Sequence, residues 1–353
     1  MILVNWNGRE DTLECIRSVL EMTYPNFRIL LVDNDSSDGT VDAVRAEFPN
    51  VEIVETGANL GYTGGNNVGM KHCLEAGADY VFLLNNDTII HPEALTRLVD
   101  HAEATPSAGV IGPKQYFYSD RLRIAGCGSV IDWDGATIYH RRRGEMDEAQ
   151  EIHRASEPYP VDYMDGCAVL VRRDYLDKVG LLDERFHLGG YEDAEWSRRG
   201  LAAGYQEWNV PNSYVWHKVS AKAGVGSPLT TYYMTRNQLL FFWTHSSGLA
   251  RWTRCIRILG RTVRTIGAWT LKPKYRRAGF FRKRDANILA IRDFFFGRFG
   301  PMGPDVALAC FGPPKSSAEE DRAEDQRHIG DLQSSGQSAR SARLVERANA
   351  AHS

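Results

Sequence analysis

The chain has 353 residues, 43% of them apolar and 25% charged, with a formal net charge of −3. That balance argues against a wholly disordered or fibrous chain and leaves room for one large core or two modest ones. Six cysteines, at 15, 73, 127, 167, 255 and 310, show no Cys-x-x-Cys spacing, which argues against a disulfide framework or a thiolate zinc site and fits a reducing compartment.

In chain order, Met1-Ile2-Leu3-Val4 reads as a first strand with neither a signal peptide nor a bilayer-spanning run. Because that strand begins at the initiator, the natural start is expected upstream. Asp11 and Thr12 offer an N-cap for a helix carrying Leu13, Ile16 and Leu20. A second strand over 27–32 ends in the polar cluster 33–40, which caps a helix through Val41, Val44 and Phe48. A third strand over 51–54 leads into a glycine-rich loop, 57–67, and a helix from about 66 to 75 delivers the chain into a fourth strand, Val81-Phe82-Leu83-Leu84. This alternation with short connections predicts an α/β fold, a parallel sheet with helices on both faces.

The fourth strand is apolar throughout and breaks off in Asn85-Asn86-Asp87. Ligands of open α/β sheets bind at the carboxyl ends of the strands, and a hard divalent cation needs only one or two carboxylates plus substrate phosphates. The same residues also suit a helix cap, with Thr88–Glu93 as a helix entry and Pro92 near its first position, and the two readings weigh evenly. The glycine loop could cradle phosphate through its N–H groups. Its spacing matches neither G-x-G-x-x-G nor the P-loop, which disfavours a redox enzyme or a P-loop ATPase.

Four stretches, in this order and spacing, carry a resemblance: Val4-Asn5-Trp6-Asn7-Gly8, Val32-Asp33-Asn34-Asp35-Ser36-Ser37-Asp38-Gly39-Thr40, Asn59-Leu60-Gly61-Tyr62-Thr63-Gly64-Gly65-Asn66-Asn67 and Leu84-Asn85-Asn86-Asp87. Together they resemble the family 2 glycosyltransferases, and within them the bacterial rhamnosyltransferase-like branch, over about residues 1–240. The resemblance implies a GT-A (Rossmann-like) nucleotide-diphospho-sugar transferase fold with a mixed, mostly parallel sheet. It also implies a dTDP-rhamnose donor, with UDP-sugars next, a divalent metal (Mn²⁺ or Mg²⁺) and inversion at the anomeric carbon. The acceptor it implies is a lipid-linked or cell-surface glycan. Asp33 matches the nucleobase contact and Asn5 flanks it; Asn7, Asp35, Gly61, Gly64, Asn66, Asn85 and Asn86 fall in the donor-binding motifs. Asp87 matches the last residue of the metal-binding Asp-x-Asp, whose first position is Asn85 here, a departure that lowers the expected metal affinity.

Residues 110 to about 160 read poorly: strand-like Gly128-Ser129-Val130-Ile131, then Arg141-Arg142-Arg143 and an acidic run over 145–151, a solvated loop with at most a part in shaping the acceptor site. Asp165 and Gly166 form a bend before an apolar strand and are expected on the acceptor side, and a helix is expected over 174–179. Glu192 and Asp193 open a further helix, where negative charge is welcome in any case. An inverting transfer needs a carboxylate at the acceptor hydroxyl; by resemblance Asp193 is the general base and Glu192 its acceptor-binding neighbour. His217 ends another strand where relatives supply an imidazole metal ligand. Tyr232 to Asn237 resembles the family's Arg-Asn helix start and is given no role beyond support of donor or acceptor.

Beyond Phe241, Arg251, Arg254, Arg257, Arg261 and Arg264 share one side of a helix, and Trp252, Ile256, Leu259, Val263 and Ile266 the other. With the basic run 272–284 and Phe294-Phe295-Phe296 as a wedge, this suits an anionic membrane surface; a helix docked on the core with its arginines in water is an equal alternative. Nucleic acid is not expected, since no binding module surrounds the basic stretch. The expected organisation is a catalytic domain over 1–240 (donor half 1–112, acceptor half 113–240), C-terminal amphipathic helices over 241–312 and a disordered tail over 313–353. The function expected is an inverting glycosyltransferase, cytoplasmic and peripheral on the inner face of the cell membrane. Two alternatives are a sugar-phosphate nucleotidyltransferase, for which Asn7-Gly8-Arg9 is a poor loop, and an inactive GT-A-like binding protein, although Asp87 and Asp193 are both present.

Overall fold

The structure is a computed structural model, and it describes residues 1–147, 157–188, 190–219, 226–275 and 277–313. In chain order the elements are β1 (Ile2–Asn5), α1 (Arg9–Leu20), β2 (Leu30–Asp33), α2 (Thr40–Glu47), β3 (Glu52–Glu55), α3 (Gly61–Glu75), β4 (Tyr80–Asn85), β5 (Thr88–Ile90), α4 (Ala94–Ala104) and β6 (Ala108–Phe117). They continue with β7 (Asp120–Gly126), β8 (Ser129–Asp132), β9 (Thr137–His140), β10 (Tyr159–Val161), β11 (Ala168–Arg172), α5 (Arg173–Val179), α6 (Glu192–Ala202), β12 (Gln206–His217), α7 (Pro228–Thr244), α8 (Gly248–Leu271), α9 (Ala278–Phe295) and α10 (Pro304–Phe311).

The central sheet runs β10-β12-β6-β11-β4-β1-β2-β3. Its first half, β3-β2-β1-β4, is parallel. β11 lies antiparallel to both β4 and β6, and β12 returns parallel to β6. The sheet is thus mixed but mostly parallel, as expected. One edge carries the carboxyl ends of β1, β2, β4 and β12 and, because β11 is reversed, the start of β11. Helices cover both faces because the strands alternate: Leu3, Leu31, Phe82 and Leu84 join one apolar cluster with Ile16 and Leu98, while Ile2, Val32, Val81 and Leu83 join another with Met70 and Tyr175. Each buried side chain of this size contributes about 1.5–3 kcal/mol.

Three expectations are corrected. Thr88–Glu93 is no helix entry: β-branched Thr88-Ile89-Ile90 forms β5, antiparallel to the end of β12, and α4 begins only at Ala94. The glycine loop is largely helix, because α3 starts at Gly61. Its glycines let the helix lie close against β1, since a Cβ at Gly65 would sit 2.7 Å from Val4 Cγ1 and one at Gly69 2.7 Å from Ile2 Cγ2. The poorly read segment from 110 to about 160 holds most of the sheet's β6, whose partner β12 lies far along the chain, together with the β8–β9 hairpin.

The C-terminal helices share an apolar cluster with residues at the start of α6. Residue 240, the expected boundary, falls inside α7, and Leu239, Leu240, Phe241 and Phe242 pack with Phe186, Tyr191 and Ala194 and with Cys255 and Ile258 of α8. Among the described residues no helix is long and apolar enough to cross a membrane. The expected disordered tail, from 314 onward, and part of the acidic run, 148–151, lie outside the described residues.

Candidate active site

Polar residues at the ends of β1 and β2 are tied into one network. Asn5, fully buried, donates to Asp33 Oδ1 (2.9 Å) and Ser36 Oγ (2.9 Å), while its own Oδ1 accepts from Gly8 N, Thr12 Oγ1 and Asn86 Nδ2. Asp33 Oδ2 accepts from Ser36 N at 2.8 Å. Each Asp33 oxygen keeps a lone pair for a ligand. Asn7 and Asp35 both take positive φ, 52° and 63°, and Asn7 Oδ1 accepts from Ser37 N at 2.8 Å, joining the two loops. Several donor-motif residues are spent inside the protein. Asn86 braces β4 against Asn5 and Thr12, Asn66 donates to Tyr62 O within α3, and Gly64 packs on Leu60. Gly61, at φ 69°, lies against the His187 ring.

The β5–β12 register sets His217 opposite Thr88 and brings its Nε2 to 3.1 Å from Asp87 Oδ1. Burial alone would lower the His217 pKa, but Cys167 and Asp87 beside it raise it well above the ordinary histidine value. A carboxylate and an imidazole that gives up its proton to bind together fit part of a divalent cation's donor set, with substrate phosphate oxygens able to complete it. Among the described residues no group of three or more His, Cys, Asp or Glu is arranged to hold a metal ion.

Across the crevice, α6 begins with Glu192 and Asp193, preceded by Tyr191 at φ 76°. A bulky residue there costs of order 1 kcal/mol or more; the Tyr191 ring is locked between Phe241 and Phe242. Gly166 N donates to Asp193 Oδ2 (2.8 Å) and Tyr62 Oη donates to Gly166 O (2.8 Å), so the α3 side, the Asp165–Gly166 bend and α6 meet at one point. Burial, and then the charge of Glu192, hold Asp193 well above the usual carboxylate range. Burial pushes Glu192 up to about 7, and its Oε2 is buried with no hydrogen-bond partner among the described residues. Asp165 is brought less directly to the site, because its carboxylate is taken by Ser129 Oγ (3.1 Å) and His140 Nδ1 (3.0 Å).

Supporting residues surround the site, and Glu207 among them carries no sequence signal. Glu207 on β12 is buried, its acid pushed by that burial up to about 8. Met164 N donates to one of its oxygens at 2.6 Å, and Ser197 Oγ touches the other while also reaching the Asp193 carbonyl at 2.7 Å. A hydroxyl has one hydrogen and a carbonyl only accepts, so with that hydrogen on Asp193 O it is a protonated Glu207 that completes the second bond. Arg236 and Asn237, fully buried in mid-helix α7 and not at a helix start, hold the approach to α6. Arg236 donates to Gly300 O (2.9 Å) and Arg185 O (3.1 Å), and Asn237 Nδ2 donates to Leu188 O (3.0 Å) and Gly190 O (3.1 Å). The Arg-Asn pair was legible as a motif, but its role as an anchor was not.

The family model described as glycosyl transferase family 2 matches residues 1–180, about half of the chain. The chain belongs to glycosyl transferase family 2. This glycosyltransferase is 31% identical over 219 residues to the N-acetylglucosaminyl-diphospho-decaprenol L-rhamnosyltransferase of Mycobacterium tuberculosis, a match covering 56% of this chain and 68% of the relative. It is 22% identical over 250 residues to the dTDP-rhamnosyl transferase of Shigella flexneri, covering 68% and 78%. In fold it is similar to a Pyrobaculum calidifontis mannosyltransferase solved with GDP-Man and Mn²⁺, with TM-score 0.52 at 16% identity, covering 84% and 86% of the two chains. The glycosyltransferase therefore has the GT-A fold expected from its strand-end motifs.

Proposed function

We propose that this glycosyltransferase transfers a sugar with inversion, L-rhamnose from dTDP-rhamnose in the first instance and a hexose from a UDP-sugar in the second, to a hydroxyl of a lipid-linked or cell-surface glycan at the cytoplasmic face of a membrane. The observation that carries the reading is the meeting at one sheet edge of three unlike groups: the Asp33 network, the Asp87–His217 pair, and the buried Glu192–Asp193 pair. The two rhamnosyltransferase relatives support the donor, and the decaprenol-linked substrate in the name of one supports the acceptor class.

In this reading Asp33 and Asn5 receive the nucleobase side of the donor. Asp87 and His217 would hold a divalent cation, which when bound supplies positive charge to the diphosphate. Asp193, ionised, takes the proton of the acceptor hydroxyl as that oxygen bonds to the anomeric carbon, and the bond from that carbon to the diphosphate breaks with its electron pair leaving on the nucleoside diphosphate. A carboxylate held above its usual range is the stronger base for this. The orphaned Glu192 Oε2 is placed to accept a further hydroxyl of the acceptor.

Calorimetric binding of dTDP, UDP and GDP, with and without Mn²⁺, tests the donor and metal assignments. Tight, Mn²⁺-dependent binding of dTDP that is lost in Asp87→Ala is expected. Preference for GDP, or binding indifferent to Mn²⁺ and to Asp87, would overturn them.

A further inference from the structure

Helix α8 turns its unexpected side outward. Three of its five arginines are held by the protein: Arg254 donates to Trp133 O (2.8 Å) and Ser246 Oγ (3.0 Å), Arg261 to Gly135 O (2.6 Å) and Ala136 O (2.8 Å), and Arg251 to Ser246 O (2.9 Å). Cys255 and Ile258 are buried beside them. Leu249, Trp252, Ile256, Val263 and Leu271, by contrast, are between 57 and 78% exposed. Their spacing, i, i+3, i+7, i+14 and i+22, confines them to about 100° of arc, a ridge along a helix about 36 Å long.

The ridge continues onto the next helix. Trp252 packs against Trp243 at 5.0 Å, Trp243 against Phe294 at 6.2 Å and Phe294 against Phe295 at 5.4 Å. Phe295 and Phe296 are 64 and 73% exposed. Exposed Arg257, Arg264, Lys272 and Lys274 border the ridge, and the exposed Arg298 stacks over the Phe296 ring at 5.7 Å. Between Glu207 and Asp285 the chain has no acidic residue.

We infer that the ridge formed by α8 and the end of α9 lies in the surface of a membrane containing anionic lipid. Leu249, Trp252, Ile256, Phe295 and Phe296 enter the acyl boundary, and Arg257, Arg264, Lys272 and Lys274 meet the headgroups. Exposed apolar side chains in this number mark an interaction surface, and an apolar stripe bordered by cations is the pattern that binds a bilayer in its plane. A second copy of the chain is a poor occupant, because two such faces would bring like charges together with no carboxylate between Glu207 and Asp285 to offset them. The reverse side of α8 belongs to the apolar cluster that includes Tyr191 and Ala194, the neighbours of Glu192 and Asp193. The ridge therefore brings the acceptor side of the site toward the lipid, and in this respect it deepens the proposed use of a lipid-linked acceptor.

The test is flotation of the full chain with vesicles of phosphatidylcholine alone and of phosphatidylcholine mixed equally with phosphatidylglycerol, alongside sedimentation velocity without lipid and calorimetry with dTDP. Strong binding to the mixed vesicles and weak binding to the neutral ones is expected. Trp252→Ser with Ile256→Ser should weaken binding about tenfold or more. Arg257→Gln with Arg264→Gln should weaken it severalfold and flatten its salt dependence. All four positions are exposed, so melting temperature should hold. Wild-type protein that stays unbound on the mixed vesicles, ridge variants that bind as wild type, or a dimer that the ridge variants dissociate would each overturn the inference. Unchanged dTDP binding in the same samples would leave the transferase reading standing.

Discussion

Gly166 sits where a single methyl group would disturb the chemistry without reaching the core. A Cβ at this position would lie 2.0 Å from Tyr62 Oη and 2.7 Å from Asp193 Oδ1. Restoring ordinary contact requires the phenol to retreat by about 1.4 Å and the carboxylate by somewhat less. Both movements pull on the bonds that align the site, Tyr62 Oη to Gly166 O and Gly166 N to Asp193 Oδ2, each 2.8 Å. The clash falls on side-chain ends and not on backbone, so Gly166→Ala should fold and lose about 1–3 kcal/mol of stability. Displacing a base by about 1 Å costs roughly a hundredfold in rate. The expected result is a kcat lower by about two orders of magnitude with donor affinity near wild type, measured by transfer kinetics and dTDP calorimetry. Adding Tyr62→Phe, which removes the nearer atom, should restore part of the rate. A folded Gly166→Ala enzyme with wild-type kcat, or no recovery from Tyr62→Phe, would refute the placement of the base at this junction.

The remaining expectations use the same assays. Asp193→Asn keeps the Gly166 hydrogen bond but cannot take a proton, so kcat should fall by about 10²–10⁴ with donor binding intact; equal losses of both would argue against a base. Because Glu192, at about 7, and Asp193 both titrate above the usual carboxylate range, and the base works ionised, kcat/KM should rise with pH through neutrality, and a flat profile from pH 5 to 8 would contradict this. Glu207, raised to about 8 in the folded state, contributes stability that is complete below its ordinary value and is lost as pH climbs through about 8, at up to about 1.4 kcal/mol per pH unit. Glu207→Gln should therefore flatten the decline of unfolding free energy over that window relative to wild type, and urea titrations that keep the same slope would count against a buried protonated acid. Asn237→Ala leaves the Leu188 and Gly190 carbonyls without their donor, which should cost about 2–4 kcal/mol and lower kcat more than donor affinity; thermal melts and transfer kinetics will show whether it does.

The sequence by itself determined the α/β alternation, the parallel character of the sheet's first four long strands and the placing of Asp33 and Asp87 at its carboxyl edge. Those features are local: an apolar strand that stops in polar residues reads the same in isolation as in the fold. The Glu192–Asp193 helix entrance was legible for the same reason. Only the tertiary structure decided the partners. His217 reaches Asp87 because β5 pairs with β12 in one register, a contact between distant segments that no local pattern records. Glu207, Arg236 and Asn237 gained their roles from carbonyls and hydroxyls supplied by other elements. On α8 the periodicity separated an apolar from a basic side, yet it could not say which residues of each meet the body: Leu259 packs inward, while Arg257 and Arg264 stay exposed. The backbone carbonyls of Trp133, Gly135 and Ala136 bind Arg254 and Arg261, and once that side is docked through charge-assisted hydrogen bonds, the ridge of Leu249, Trp252, Ile256 and Val263 is the one left for solvent or lipid.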